Sequence, residues 1–488
     1  MKSPKPTFSP TSITATTNAV STLLSDYIAQ SEANAKAVLQ QEEPKIIAEK
    51  LALKKLIESG FSSQENIVDF VATYLTHTNH LKNPRYMGHQ VAVPQELSGI
   101  PDFIHGTINN PGSLYEMGPA PATLEGFMIN WMLAKVGWLE DDKLYDFEFT
   151  PHRANGVLTH GGSIANLTAL TAARAAIAPE AWTEGNPDDL VVLGPANTHY
   201  SIGRALSLMG LGKNAFIPVA VDAHEVMDVA SLAAVYQQVK SKGKRVMAVV
   251  ANACATSTGL FDPIEVIADF CQQQQLWFHV DGAHGAVVLM SDKQRFKMKG
   301  VEKADSLFWD AHKMMRVPSL CTAVLFKNGA HLLQNFQQKG SYVFHDSKVI
   351  GMDTMPYTIE CTKSALGTKL FWALALEGES KLTHYVETRF EQALCFYEIL
   401  SATDDFHCLY RPQTNILCFQ YRPDQLNDAQ QLELRYALVN QGAFYLTSCE
   451  IHGKRYLRVV VMNPHTQASD FVTLIAVIRE KAQDLFDL

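Results

Sequence analysis

The chain has 488 residues, 47% hydrophobic and 19% charged, with a formal net charge of -9. That length buries a large core and predicts one big domain with one or two smaller pieces. The acidic balance leaves no footprint for nucleic acid or anionic membrane, no run of about 18 apolar residues could span a bilayer, and residues 1–20 lack a secretory signal's apolar core. Small molecules are the expected partners, and the cytoplasm is the expected location.

Residues 1–20, rich in Ser, Thr and Pro, predict a poorly ordered tail. Residues 21–85 repeat apolar positions at three and four, predicting a helical segment that ends where Pro84 and Pro94 interrupt the pattern. A large domain is expected over 86–375. From about 150 it alternates: helix in GGSIANLTALTAARAAI, strand in DLVVLGP, helix from Ser201 to Met209, strand near NAFIPV, helix in DVASLAAVYQQVKSKG, strand in RVMAVVANA, helix in DPIEVIADFCQQQQ, then strands in LWFHVDG and SLFWD. Apolar runs alternating with helices predict an α/β fold whose mostly parallel sheet is covered on both faces. Residues 376–488 open with a long helix, continue through the strand-like TNILCFQY and RYLRVVVMN, and close with a helix, predicting a small α+β domain. The eight cysteines show no C-x-x-C spacing and read as reduced core thiols, and the sequon Asn166-Leu167-Thr168 falls inside a helical pattern.

Ligands of a parallel sheet bind beyond the carboxyl ends of its strands, so the polar residues there matter most. Gly162 and Ser163 in THGGSIAN open a helix whose free N–H groups and dipole favour an anion such as a phosphate. Asp281 ends the strand of WFHVDGAHGA and needs a cationic or proton-bearing partner, and the glycines after it would let a flat ligand approach the backbone. His279, Asp281 and His284 could instead be metal ligands of a hydrolase, although the last lies past the glycine turn from the other two. His199 follows the strand LVVLG, and Lys313 follows the strand of SLFWDAHK. Burying an ammonium is costly and drives it toward the neutral amine, a nucleophile for an aldehyde. An anion cradle, a buried carboxylate, an imidazole and a buried lysine together suit pyridoxal phosphate.

On these motifs the sequence resembles the group II pyridoxal-phosphate amino-acid decarboxylases, which act on glutamate, cysteine sulfinate, aromatic amino acids or 2,4-diaminobutyrate. The resemblance runs from NPRYMGHQ to LRVVVMNP. It implies fold type I and a homodimer with active sites at the interface. Lys313 would hold the cofactor covalently, with His312 before it. Asp281 would pair with the ring nitrogen, Ala283 and His199 would pack on the ring, Thr256 would approach its plane, and Gly162 and Ser163 would hold the phosphate with Asp310 nearby. His89, Gln90 and Arg458 align with side-chain-reading positions, Arg458 as receiver of a substrate carboxylate. Asn109, Asn110 and Ser113 belong to a pocket stretch without large aromatics, which suits a small polar or acidic substrate. A 2,4-diaminobutyrate substrate would want an acid such as Glu116 or Glu125.

Two departures stand out. Relatives carry a loop tyrosine that returns the α-carbon proton, whereas the centre of SYVFHDSKVIGMDTMPYTIECTKS has none, with Tyr342 near its start and Tyr357 near its end. Loss of that tyrosine favours transaminating or aldehyde-forming chemistry. The C-G-R segment of relatives reads CTKS here, so Lys363 requires a different ion pair.

Overall fold

The computed structural model describes residues 10–148, 150–336 and 353–486. The chain divides into two compact units, one of Gln90–Leu394 and Leu409–Leu417, the other of Met1–His89, Cys395–Cys408 and Cys418–Leu488.

The larger unit is built on seven strands: β1 (Asn155–Thr159), β2 (Leu190–Pro195), β3 (Phe216–Val219), β4 (Arg245–Asn252), β5 (Phe278–Asp281), β6 (Ser306–Asp310) and β7 (Thr322–Phe326). They lie in the order β1-β7-β6-β5-β4-β2-β3, with β7 antiparallel to both neighbours and the other pairs parallel. Strands β2, β5 and β6 are buried at every residue and β4 at all but its first, as apolar runs covered on both faces should be. Helices Gly162–Ile177, Ser201–Leu208, Val229–Ser241 and Ile264–Gln274 form in the expected order. Asp228 caps the third of these, accepting from the N–H groups of Ala230 and Ser231.

Strands β1 and β7 were not anticipated, because GVLT and TAVLF are short and carry no alternation that marks them out. They matter for the site. The pairing of β7 with β6 sets Thr322 opposite Asp310, and that with β1 sets Thr322 opposite Thr159. The parallel register places Asn252 beside Asp281, so β4, β5 and β6 end on one edge of the sheet.

The other unit joins the N-terminal helices to the C-terminal sheet, which sequence order had set apart. Its sheet has the order β10-β11-β9-β8, formed by β8 (Phe406–Cys408), β9 (Ile416–Tyr421), β10 (Thr447–Ile451) and β11 (Lys454–Val460). Backbone bonds from Val38 N to Gly442 O (2.8 Å), Met87 N to Tyr445 O (2.8 Å) and Val460 N to Met87 O (2.8 Å) tie the two ends of the chain together. The tail expected over residues 1–20 is helical from Pro10, within the helix Pro10–Glu32. Proline suits a helix start, and Thr17 and Thr22 bond back to the carbonyls four residues earlier.

All eight cysteines are free thiols. Cys254, Cys271, Cys321 and Cys418 are buried as expected, whereas Cys361 and Cys395 are exposed. Asn166 and Thr168 of the sequon are fully buried. Among the described residues, no helix is long and apolar enough to cross a membrane.

Candidate active site

A cavity of about 330 Å³ opens at the carboxyl edge of β5 and β6. Gly162, Ser163, His199, Thr256, Asp281, Ala283, Asp310, His312 and Lys313 all line it. Nine residues spread over 150 positions of sequence thus share one wall, because each follows a strand or opens the helix packed beside it.

The anion cradle is the start of helix Gly162–Ile177. Gly161 has φ of +107°, a conformation that excludes side chains at little less than prohibitive strain, and so turns the chain from β1 into the helix. A Cβ on Gly162 would stand 3.0 Å from the Phe308 ring and 3.5 Å from Asp310 Oδ1, so glycine keeps this first turn close to the cavity wall. The N–H groups of such a first turn have no intrahelical acceptor.

Asp281 is a buried acid of the site, 5% exposed. Its Oδ2 accepts from Asn166 Nδ2 (3.3 Å) and its Oδ1 from the Ala283 N–H (3.3 Å). Burial raises its carboxyl to about 6, and the nearby Lys313 ammonium pulls against that rise. The glycines after Asp281 serve packing within the protein and not ligand approach. A Cβ on Gly282 would come 2.7 Å from Leu307 Cδ1, and one on Gly285 2.7 Å from the Phe261 ring.

Lys313 sits one turn beyond β6 with its side chain 18% exposed and Nζ 3.2 Å from Asp310 Oδ2. Asp310 Oδ1 accepts from the Thr322 hydroxyl, the bond that the β6–β7 register sets up. Asp310 therefore faces the amine and a hydroxyl. His312 Nδ1 lies 2.9 Å from Cys321 O, which pins its ring beside Lys313.

His199 follows β2 on a loop held by side-chain amides: Thr198 Oγ1 donates to Asn252 Oδ1 (3.1 Å), Asn252 Nδ2 to Asn197 Oδ1 (3.2 Å) and Asn197 Nδ2 to Glu225 O (2.7 Å). Burial, then the Lys313 charge, lower the His199 imidazole to about 4, so it is neutral near pH 7.

His279 and His284 do not join Asp281 as metal ligands. His279 Nδ1 and Nε2 bond Ser306 Oγ (2.8 Å) and Asn166 Oδ1 (2.9 Å), and His284 Nε2 bonds Asn415 Oδ1 (2.6 Å). Among the described residues no three acid, histidine or cysteine side chains converge on a metal position.

Of the expected substrate readers, Gln90 and Asn109 belong to this unit but are not among the cavity-lining residues. The Gln90 amide nitrogen is a buried donor with no partner among the described residues. Asn109 ends helix Ile100–Ile108 in the left-handed conformation. His89 and Arg458 lie in the other unit. Arg458 Nη1 is 3.4 Å from Gly88 O and 3.3 Å from Thr447 Oγ1, and His89 Nε2 is 3.0 Å from the Tyr445 hydroxyl. Burial, then the Arg458 and Arg435 charges, hold the His89 imidazole below its ordinary value.

Glu125 is paired elsewhere, its Oε1 in a buried ion pair with Lys363 (2.5 Å), and Glu116 is exposed. Tyr342 lies outside the described residues. Tyr357 is described, and it packs against the apolar cluster that includes Leu170 and Phe308, outside the cavity lining.

Sequence reading missed Asn166 as the bridge between Asp281 and its neighbours, Ser201, Thr322, and the cavity-lining His160. The last meets Glu360 through Nδ1 and Ser364 Oγ through Nε2 (2.8 Å). Ser201, two residues past the strand-end histidine, carried a usable signal. The partners of His160 lie about 200 residues away, and nothing local marks them.

The cavity can thus hold a flat molecule with an anion at one end, an acceptor for a ring N–H and an amine within reach. Residues 13–422 match the pyridoxal-dependent decarboxylase conserved domain. Similar solved structures include mouse CSAD in apo form (24% identity, TM-score 0.87, covering 98% of this chain and 100% of that one). The glutamate decarboxylase domain of diaminobutyrate-pyruvate transaminase and L-2,4-diaminobutyrate decarboxylase from Vibrio parahaemolyticus is also similar (22%, 0.82, 97% and 96%). So is Oryza sativa TDC with PLP and tryptamine (18%, 0.85, 99% and 100%). At these identities the likeness speaks for the fold, the type I fold of pyridoxal-phosphate enzymes. The domain match extends over most of the chain, and the chain belongs to the pyridoxal-dependent decarboxylase family, carboxy-lyases that act on amino acids with pyridoxal 5'-phosphate.

Proposed function

We propose that the protein removes the α-carboxylate of a small acidic L-amino acid, of the glutamate, aspartate or cysteine sulfinate type, releasing an amine and carbon dioxide. The observation that carries the acidic preference is the electropositive setting of His89. The Arg458 and Arg435 charges that disfavour its protonation would equally repel a substrate's distal ammonium and attract a distal acid. Arg458 takes that acid group, with His89, Gln90 and Asn109 completing side-chain recognition. The open donor on Gln90 fits this role, since a buried N–H without an acceptor is costly until a ligand supplies one. Engagement of Glu125 by Lys363 removes one acid that a diaminobutyrate substrate would need.

The cofactor, when bound, supplies an electron sink for the bond to the departing carboxylate. Lys313 would hold it covalently, and Asp310 is the partner of the free amine at 3.2 Å. Asp281 would favour a proton on the ring nitrogen through its fixed negative charge in a buried site. Gly162 and Ser163 would hold the phosphate, His199 and Ala283 would pack on the ring, and Thr256 and His312 line the same cavity.

The protein acts as a cytoplasmic homodimer. Helix Ile100–Ile108 leaves Ile100, Phe103, Ile104 and Ile108 exposed at helical spacing, an apolar stripe that a second copy would cover. Light scattering on wild type and on Phe103→Asp, expected to be a dimer and a monomer, tests this. A monomeric wild type would overturn it.

The functional test incubates the cofactor-loaded protein with single amino acids and identifies products by mass spectrometry. Amine from one acidic substrate, with a KM raised by roughly 100-fold in Arg458→Met, is the expected result. Preference for 2,4-diaminobutyrate or an aromatic amino acid would overturn the acidic reading. A carbonyl product would indicate the aldehyde-forming or transaminating alternative.

A further inference from the structure

Behind the cavity, seven side chains form one hydrogen-bonded line that branches at Asn166. Trp277 Nε1 donates to Ser306 Oγ (3.0 Å), Ser306 Oγ meets His279 Nδ1 (2.8 Å), and His279 Nε2 meets Asn166 Oδ1 (2.9 Å). Asn166 Nδ2 reaches both Asp281 Oδ2 (3.3 Å) and Ser201 Oγ (2.8 Å), and Ser201 Oγ meets His199 Nδ1 (2.7 Å). Asn166 and His279 are fully buried and Ser201 is 1% exposed, so bulk solvent does not reach these groups and they bond one another.

Donor and acceptor roles along this line follow from its ends. An ionised Asp281 can only accept, so the Asn166 amide must turn its nitrogen toward it. The Asn166 oxygen then faces His279, whose Nε2 must carry the proton, leaving Nδ1 to accept from the Ser306 hydroxyl while Trp277 donates to that oxygen. The second Asn166 N–H goes to Ser201 Oγ, which frees the Ser201 hydroxyl proton for His199 Nδ1. An independent contact agrees: the Ser201 backbone N–H, which can only donate, also points at His199 Nδ1 (3.3 Å). His199 therefore keeps its own proton on Nε2.

We propose that Asn166 is a positioning residue that ties the carboxylate of Asp281 to the tautomer of His199. The two groups assigned to the ring nitrogen and the ring face are then set together. While Asp281 is ionised, His199 is a neutral ring with its N–H directed away from Ser201. Its significance rests on the roles given to Asp281 and His199 above, while the tautomer itself does not. The charged groups acting on His199 are Lys313, Asp310 and Arg204, with the Tyr200 ring tilted against it at 4.1 Å, and those acting on Asp281 are Lys313 and Asp310. Removing Asn166 leaves all of them in place.

The test is solid-state ¹⁵N spectroscopy of full-length protein labelled at histidine, free of cofactor, with His199 assigned by difference against His199→Gln. Wild type should show His199 protonated on Nε2 alone from about pH 7 to pH 9, where Asp281 is ionised. In Asn166→Ala the Ser201 hydroxyl loses its fixed donor and can turn, so His199 should become a mixture with on the order of a tenth or more of the Nδ1–H form. Ser201→Ala, which keeps the backbone N–H, should give a smaller change in the same direction. In cofactor-loaded protein the absorbance-against-pH profile should shift in Asn166→Ala and not in Ser306→Ala, which lies on the far side of His279. A wild-type His199 protonated on Nδ1 would overturn the proposal. So would an Asn166→Ala spectrum identical to wild type, or, if that variant does not fold, a Ser201→Ala spectrum identical to wild type. Expected tautomers in a protein that forms no amine would sink the substrate reading and leave this one standing.

Discussion

Lys363 and Lys313 each meet a carboxylate in the larger unit, in opposite surroundings. Lys363 and Glu125 have side chains 0% and 1% exposed. The amine also donates to Leu158 O (3.1 Å), and Glu125 accepts from Leu158 N (3.0 Å), so the pair clamps β1 from both sides of one residue. Lys313 meets Asp310 at 3.2 Å, is 18% exposed, and opens on the cavity. A buried lysine is therefore not in itself a sign of chemistry. The sealed one has its bonds filled by the scaffold, and the open one holds a partner it can leave.

The sharpest way to test that contrast is to remove each amine. Lys313→Ala should fold, lose the yellow colour of the loaded enzyme and lose activity by on the order of 10⁴-fold or more, about 5–6 kcal/mol at about 1.4 kcal/mol per tenfold. Absorbance, circular dichroism and single-turnover assays check the three parts. Retained colour would mean that another group holds the cofactor.

Lys363→Met should do the reverse. It strands the Glu125 carboxylate in a sealed site, at a cost of about 3–5 kcal/mol in denaturant unfolding, while protein that remains folded keeps its colour. The double variant with Glu125→Leu should recover most of that loss, because replacing both charges removes the stranded one. If the single variant is as stable as wild type, the pair is not the clamp described.

Asp281 shows how an acid in the open site differs from Glu125. Burial raises it to about 6 in the cofactor-free protein. A carboxyl whose folded pKa lies above its ordinary value favours folding fully below about pH 4 and loses that contribution as pH rises through 6. His199, lowered to about 4, behaves oppositely: its contribution is complete above about 6.5 and is lost as pH falls through 4. Asp281→Asn should therefore stabilise the unloaded fold at pH 8 by roughly 2–3 kcal/mol relative to wild type, with the gap closing below pH 6. The same change should weaken cofactor binding and slow turnover. Unfolding curves at several pH values check the crossover, and a gap that does not vary with pH would remove Asp281 as its source.

The strand ends were readable because apolar runs and the polar residues after them are local features. That is how Asp281, Lys313, His199 and the Gly162–Ser163 turn were found without a structure. What joins them was not readable. Thr322 meets Asp310 only because β7 runs antiparallel beside β6, and Asn166 reaches Asp281 and Ser201 only because its helix packs on the ends of those strands. Lys363 was marked as needing a new partner, but the choice of Glu125, 238 residues away, is made by packing. Periodicity reports which face of an element is buried and says nothing about which buried faces meet.

The smallest effect is expected at Tyr357, the described tyrosine that could stand in for the proton-returning loop residue of relatives. Its ring packs on the apolar cluster around the helix Gly162–Ile177, and it does not line the cavity. Burial, then the nearby Asp353 charge, raise its phenol pKa, which makes the hydroxyl more reluctant to release a proton. Tyr357→Phe keeps the ring and removes only the hydroxyl, so stability should change by no more than about 1 kcal/mol and the ratio of amine to carbonyl product should stay that of wild type. A shift toward carbonyl in this variant would show that the phenol reaches the α-carbon, contrary to its packing here. An unchanged ratio sends the search for the proton source to groups on the cavity wall itself. His160 is the first of these to replace, because among the described residues its Nε2 meets the Ser364 hydroxyl, which can give or take a proton.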